Sequence, residues 1–303
     1  MSIAISPARA TLVANLICLA SMLIWAAGLP AAQLVIPLIP PVTLTALRTA
    51  LAAAFLLPIW ILVEGPRPLL TANWLRGIVV GGICIGLGAV LLVIAQARTD
   101  PVTVAVITAI MPVIGIALEV VLEGRRLTLA LIVGLALSLA GGFLAYGAGM
   151  GSMALGLGAL AAFASVLAFT WGSRATVTSF PKLTPLGRTT ITVTGAAILM
   201  SVIAIVYSTA GGPATQWQAM GVPEWGALLL FGVGSLAISQ VLWIMAVGQL
   251  GIGLSSLHMN AVPFYVMLIM FAFGAGWNWP QAYGAVIVAI GVLIAQGLIR
   301  LPR

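Results

Sequence analysis

From about Thr11 onward the chain alternates long apolar stretches with short polar breaks, and the stretches lack the residue-by-residue alternation of barrel strands. Each is close to the roughly 20 residues that a helix needs to cross a hydrocarbon layer. Cuts at charges, prolines and glycine clusters predict helices over 12–36, 42–63, 74–97, 101–122, 128–147, 153–177, 185–208, 224–247, 251–274 and 280–299. The expected fold class is an all-α polytopic membrane protein with ten transmembrane helices, because a bilayer offers backbone groups no partner outside the helix. The first stretch is longer than a signal-peptide core and reads as a span. The longest connection, "TAGGPATQWQAMGVP" (209–223), is too short for a soluble domain, so function is expected inside the bundle.

Composition agrees: 62% of residues are hydrophobic and 6% charged. The net charge of +7 comes from scattered basic residues at the ends of apolar runs, which points to membrane sorting and away from nucleic acid. With the N-terminus inside, Arg9, Arg67, Arg76, Arg125, Arg126, Arg174, Lys182, Arg300 and Arg303 share the cytoplasmic side, against Arg98 outside. Both termini are therefore expected in the cytoplasm, in a bacterial inner (plasma) membrane. Cys18 and Cys84 lie within apolar runs, so neither a disulfide framework nor a metal motif is read. No cofactor or metal is expected. Nucleophile elbows, metal-ligand clusters and paired catalytic carboxylates are absent, which argues against an enzyme. Nothing in the sequence indicates an oligomeric state.

Sliding the chain by 151 residues lays Pro112 on Pro263 and Ala95 on Ala246; at a shift of 150, Gly134 and Gly141 fall on Gly284 and Gly291. The ordered set predicts a duplication, with residues 1–147 as a first five-helix repeat and 148–303 as the second. The N-terminal parts align less cleanly. Arg48 and Arg188 need a shift of 140, Trp25 and Trp171 one of 146, and the arginine pair is preferred. Five helices is an odd number, so the second repeat enters the membrane inverted, as in many secondary transporters. Arg48 then lies near the outer mouth and Arg188 near the inner one.

The segment "ARTDPVTVAVITAIMPVIGIALEVVLEGRRLTLALIVGLALSLAGG" (97–142) resembles the repeat signature of the drug/metabolite transporter superfamily, EamA branch, and 248–292 is a weaker second copy. The tryptophan of "LIWAAG" (23–28) is similar to that family's first-helix tryptophan. One departure stands in the turn after the fourth helix, where "EGRRL" puts Arg125 in a slot often acidic in the family. The ion pairing of that turn is therefore not carried over. Within the branch, the resemblance favours YddG-type amino-acid exporters.

Several polar residues are candidates for the substrate cavity, each with a plainer packing alternative. Ser256, Asn260 and Pro263 share one face at helical spacing. His258, the only histidine, projects away from that stripe and is either a proton carrier, a pocket donor or a packing residue. Gly232, Ser235, Ser239 and Trp243 form a small-residue groove ending in an indole, either a packing seam or a pocket floor. Trp25 is too deep in its span for an interfacial belt. Pro112 and Pro263, read as mid-helix, are expected to free the carbonyls of Thr108 and Met259 and to act as cavity wall or hinge. Arg48 and Arg188 are candidate gates or snorkelling cations. Glu119 is expected to pair with Arg188, Arg174 or Arg126 as an inner latch.

The leading expectation is thus a secondary transporter that exports amino acids or related small metabolites by alternating access. The alternatives are a sugar-phosphate or nucleotide-type metabolite transporter, for which two peripheral arginines are few, and a non-transporting membrane scaffold. The expected partners are a small-molecule substrate and the lipid bilayer.

Overall fold

The computed structural model describes residues 7–98, 107–146, 156–274 and 276–299. The expected starts of helices at 101 and 153, the glycine-rich connection at 147–155, and Arg300 and Arg303 lie outside these residues. Among the described residues the chain is helical, with no strand. The elements are α1 (Pro7–Val35), α2 (Pro41–Glu64), α3 (Arg67–Thr71), α4 (Trp74–Gly81), α5 (Gly88–Arg98), α6 (Met111–Glu123), α7 (Leu129–Tyr146), α8 (Leu157–Ser179), α9 (Pro185–Thr209), α10 (Val222–Leu229), α11 (Ser239–Ser256), α12 (Val262–Ala272) and α13 (Trp279–Ala295). A π-helical stretch, Gly82–Leu87, joins α4 to α5, and another, Leu230–Ile238, joins α10 to α11.

Among the described residues six helical runs are long and apolar enough to cross a membrane: Arg9–Val35, Pro41–Glu64, Trp74–Ala95, Leu157–Ser179, Pro185–Thr209 and Val222–Ala272. The burial pattern is that of a protein solvated by lipid. Large apolar side chains such as Leu62 and Val222 point outward, whereas Thr190, Thr192, Ser173 and Ser138 are wholly buried. Small and hydroxyl-bearing residues let helix backbones approach closely where lipid supplies no hydrophobic drive between helices.

The helices expected at 224–247 and 251–274 are separated at Gly251, whose φ of 81° and ψ of 165° break the helix. A side chain is strained at that φ, and glycine is not. Pro112 and Pro263 are not mid-helix. Each lies in the first turn of a helix, α6 or α12, that restarts after an irregular or 3-10 turn. Proline has no N–H, and the first turn needs none, so both are tolerated there without a lost bond. The Met259 carbonyl is not freed either; it accepts from the Val262 amide.

The packing of the two halves follows one rule of exchange. Ser21 Oγ donates to the Ser239 carbonyl at 2.8 Å, and Ser165 Oγ donates to the Gly88 carbonyl at 2.6 Å. Ser235 Oγ donates to the Trp25 carbonyl at 3.2 Å, and Cys84 Sγ donates to the Phe169 carbonyl at 3.7 Å. A Cβ at Gly28 would overlap Ser235, and one at Gly172 would overlap Cys84. Ser21, Trp25 and Gly28 map onto Ser165, Phe169 and Gly172 by a single shift of 144, while Cys84 and Gly88 map onto Ser235 and Ser239 by 151. Trp25 therefore corresponds in packing to Phe169, not to Trp171.

The same shift of 151 carries Gly82–Leu87 onto 233–238, inside the second π-helical stretch. Antiparallel α7 and α13 obey the rule too. A Cβ at Gly134 would overlap the Gly291 backbone, and one at Gly141 the Gly284 backbone. The shift of 150 carries Gly134 onto Gly284 and Gly141 onto Gly291, so exchanging the two segments turns the first pair into the second.

Candidate functional site

Where α1 crosses α11, the buried residues Cys18, Met22, Ala26, Met111, Val166, Trp243 and Ile244 form one apolar cluster, with Trp25, Ile107, Phe169 and Met259 packed at its edge. Trp243 is 1% exposed; its indole N–H donates to Ser173 Oγ at 3.0 Å, and its ring stacks on Phe169 with centroids 6.2 Å apart. A buried indole needs such an acceptor, so Ser173 fixes the ring's orientation. Ser239 is tied to Ser21. The expected cavity residues Trp25, Trp243 and Ser239 are thus brought to one seam, and they are packed against other side chains.

The remaining candidates lie along the next stretch of the same long run. Ser256 Oγ donates to the Gly253 carbonyl at 2.9 Å, and His258 Nδ1 lies 3.3 Å from the Ser255 carbonyl. Asn260 Nδ2 donates to Ser138 Oγ at 3.0 Å and to its carbonyl at 3.2 Å, which fastens this stretch to α7. Thr108 is half-buried beside the turn that precedes Met111. Two cavities, of about 370 Å³ beside Ile107, Ala159 and Phe163 and about 250 Å³ beside Pro40, Tyr207 and Gln216, do not include the candidate cavity residues in their linings.

Glu119 is 2% exposed and holds a junction between elements. Its Oε1 accepts the Gly253 amide at 2.9 Å, and its Oε2 pairs with Arg125. A Cβ at Gly251 or Gly253 would overlap the carboxylate, so the two glycines form the notch that admits it. The amide it accepts is among those left orphaned where the helix resumes after Gly251. The expected partners Arg188, Arg174 and Arg126 are corrected to Arg125. Gly124, in the left-handed conformation at φ 67°, ends α6 and turns the chain so that Arg125 comes back against Glu119. Arg174 pairs instead with Glu123 at 2.7 Å.

The two candidate gate arginines make different contacts. Arg48 Nε donates to the Phe231 carbonyl at 3.1 Å, and its guanidinium lies 3.9 Å from the centre of the Phe231 ring. It is held by a protein carbonyl and an aromatic face. That carbonyl lies in a π-helical stretch, where the usual acceptor pattern is shifted. Arg188 Nε donates to the Phe180 carbonyl at 2.9 Å and its Nη2 to Pro181 at 3.2 Å, which places a cation at the C-terminus of α8. The residues that sequence spacing did not reveal are the partners: Phe231, Ser138, Ser173 and Arg125. Each is common in kind and distant from its partner along the chain, apart from Arg125, whose role depends on the Gly124 turn.

An all-helical bundle with outward apolar faces, buried hydroxyls and helices interrupted at Gly251 and before Pro112 and Pro263 has the features of a multi-pass membrane protein. The comparisons agree. Residues 12–147 match the EamA-like transporter family. Members of the family are transporters and not enzymes. The chain is 27% identical over 268 residues to the uncharacterized transporter YyaM of Bacillus subtilis, covering 87% of each protein. A solved structure described only as the crystal structure of a protein shares the fold, with a TM-score of 0.78 and 21% identity over 95% of this chain and 99% of the other.

Proposed function

We propose that the protein exports amino acids or related small metabolites across the inner membrane by alternating access. In this reading ten helices form two inverted five-helix repeats, residues 1–147 and 148–303, with both termini in the cytoplasm. The observation that carries it is the exchange rule in the packing. Hydrogen bonds and glycine contacts recur in pairs related by shifts of 144 and 151, as two oppositely inserted copies of one unit require. Two copies of one unit can each adopt the other's arrangement, which is the physical basis of alternation between an outward and an inward state.

Trp25, Thr108, Ser239, Trp243, Ser256, His258 and Asn260 line the path in this reading, with Pro112 and Pro263 at hinges and Arg48, Arg188 and Glu119 at gates. Their present engagement with other protein groups suits a state in which that path is closed. A sugar-phosphate or nucleotide substrate is less well supported, since Arg48 and Arg188 are already engaged with carbonyls. Uptake of radiolabelled amino acids into proteoliposomes tests the proposal. Flux of at least one amino acid above empty vesicles is expected, and its absence across a broad panel removes amino acids as the substrate class.

A further inference from the structure

The exchange rule gives each half of the scaffold a reference copy, and the departures from it are informative. Thr189 corresponds to Thr49 by the shift of 140 that relates Arg48 to Arg188. Thr49 Oγ1 donates back to the carbonyls of Thr45 and Ala46, as threonines in apolar helices generally do. In α9 itself Thr190 and Thr192 do the same. Thr189 is wholly buried, yet its hydroxyl has no partner. Gln240 corresponds to Ala89 by the shift of 151, is 5% exposed, and its Nε2 is buried without a partner. Trp243 and Ser173, bonded to each other, correspond to Leu92 and Leu29.

Trp243 and Ser173 are bonded to each other, and both Gln240 and Thr189 lie within one helical turn of residues that border the Phe169 ring. Gln240 is one helical turn before Trp243, whose ring stacks on Phe169. Phe169 also packs against the cluster containing Val193, Leu236 and Ala237, together with Leu186 and Val241. Thr189 is one turn beyond Leu186 and one turn before Val193 on the same side of α9. A buried polar group without a partner is costly, and a visiting ligand would supply one.

We propose that Gln240 Nε2 and Thr189 Oγ1, beside the Trp243–Ser173 pair and the Phe169 ring, are the polar end of the substrate site and bind a carboxylate or carbonyl oxygen of a small neutral or zwitterionic solute. Two hydrogen-bond donors without a formal charge suit such an acceptor, while the aromatic rings take the apolar remainder. Glu119 and Glu123 already hold arginines, so neither is available to receive a cationic solute here. The inference rests on the transporter reading above and narrows its substrate class.

The test uses the full chain in detergent and in proteoliposomes, with Gln240→Leu, Gln240→Met and Thr189→Val. The solutes are the standard amino acids, the matching carboxamides, and the matching amines that lack the carboxyl group. Wild type should be thermally stabilised by, and move, some amino acids, with the amines inactive. Without solute the variants should melt at or above the wild-type temperature, because an unpaired polar group has been replaced by an apolar one of similar size. Their affinity for the same solutes should fall by about tenfold or more, the expected loss for one hydrogen bond in a buried site. Variants that fail to fold or melt clearly lower without solute would show that these groups have a structural role and overturn the assignment. So would wild-type affinity in Gln240→Leu and Thr189→Val together, or equal affinity for the amines. If wild type moves no member of the panel, the amino-acid reading fails, and the subsite is judged by the ligand-free melting alone.

Discussion

Cys84 and Ser235 occupy the same place in the two halves of the protein: each donates to a backbone carbonyl of a neighbouring helix, Phe169 and Trp25, and each fills the space above a glycine, Gly172 and Gly28. The correspondence extends to Ser165 and Ser21 one turn away. On the repeat proposed above, hydrogen-bond partners and the glycines beneath them keep their places while the side-chain chemistry around them differs.

Gly172→Ala and Gly28→Ala should destabilise to a similar extent, by about 1–3 kcal/mol, because each added methyl meets the side chain that the other half also places there. Ser235→Cys should cost less than either. Thermal unfolding in detergent of the purified variants is the measurement, and a large cost at only one glycine would break the equivalence.

Glu119→Ala should cost more than Glu119→Gln. The glutamine keeps an acceptor for the Gly253 amide and loses only the charge pair with Arg125. The expected difference is about 1 kcal/mol, the net worth of one hydrogen bond. Gly253→Ala should be less harmful in the Glu119→Ala background than alone, since the overlapping carboxylate is then absent. Additive costs in that double variant would show that the notch does not act through the carboxylate.

Trp243→Phe and Ser173→Ala both remove one hydrogen bond while keeping the ring stack on Phe169. Each should cost about 1 kcal/mol, and the double variant little more than one of them. Melting curves for the four proteins complete the cycle.

Arg48→Ala and Arg188→Ala should lower flux more than they lower stability if the two guanidiniums act as gates. Flux per folded protein in proteoliposomes is the readout. Normal flux in both variants at wild-type expression removes the gate role.

Several helices were located to within a few residues because apolar length and charged breaks are local properties. The expected 42–63 and 185–208 are found as Pro41–Glu64 and Pro185–Thr209. Pro112 and Pro263 were legible as a pair, but not as the start of new helices, because the 3-10 turn before Val262 depends on packing and not on composition. Residue type offers Trp171 as a counterpart for Trp25, a match passed over for the arginine pair, and packing puts Phe169 in that place; an aromatic ring, and not an indole, is common to the two positions. Glu119 was recognised as a buried acid needing a cation. Which cation depended on the left-handed Gly124, a conformation that the sequence permits but does not require.

The pairing of Gly134 with Gly291 has a consequence for how the protein is made. The two residues are separated by 157 positions, so α7 leaves the ribosome long before α13 is synthesised. At the roughly 5–20 residues per second of synthesis, the wait is on the order of ten seconds. During that time the glycine face of α7 lies in the bilayer without its partner. α13 is thus the piece that covers this face, and chains truncated before Trp279 should insert into the membrane but remain open to quality-control proteases at α7.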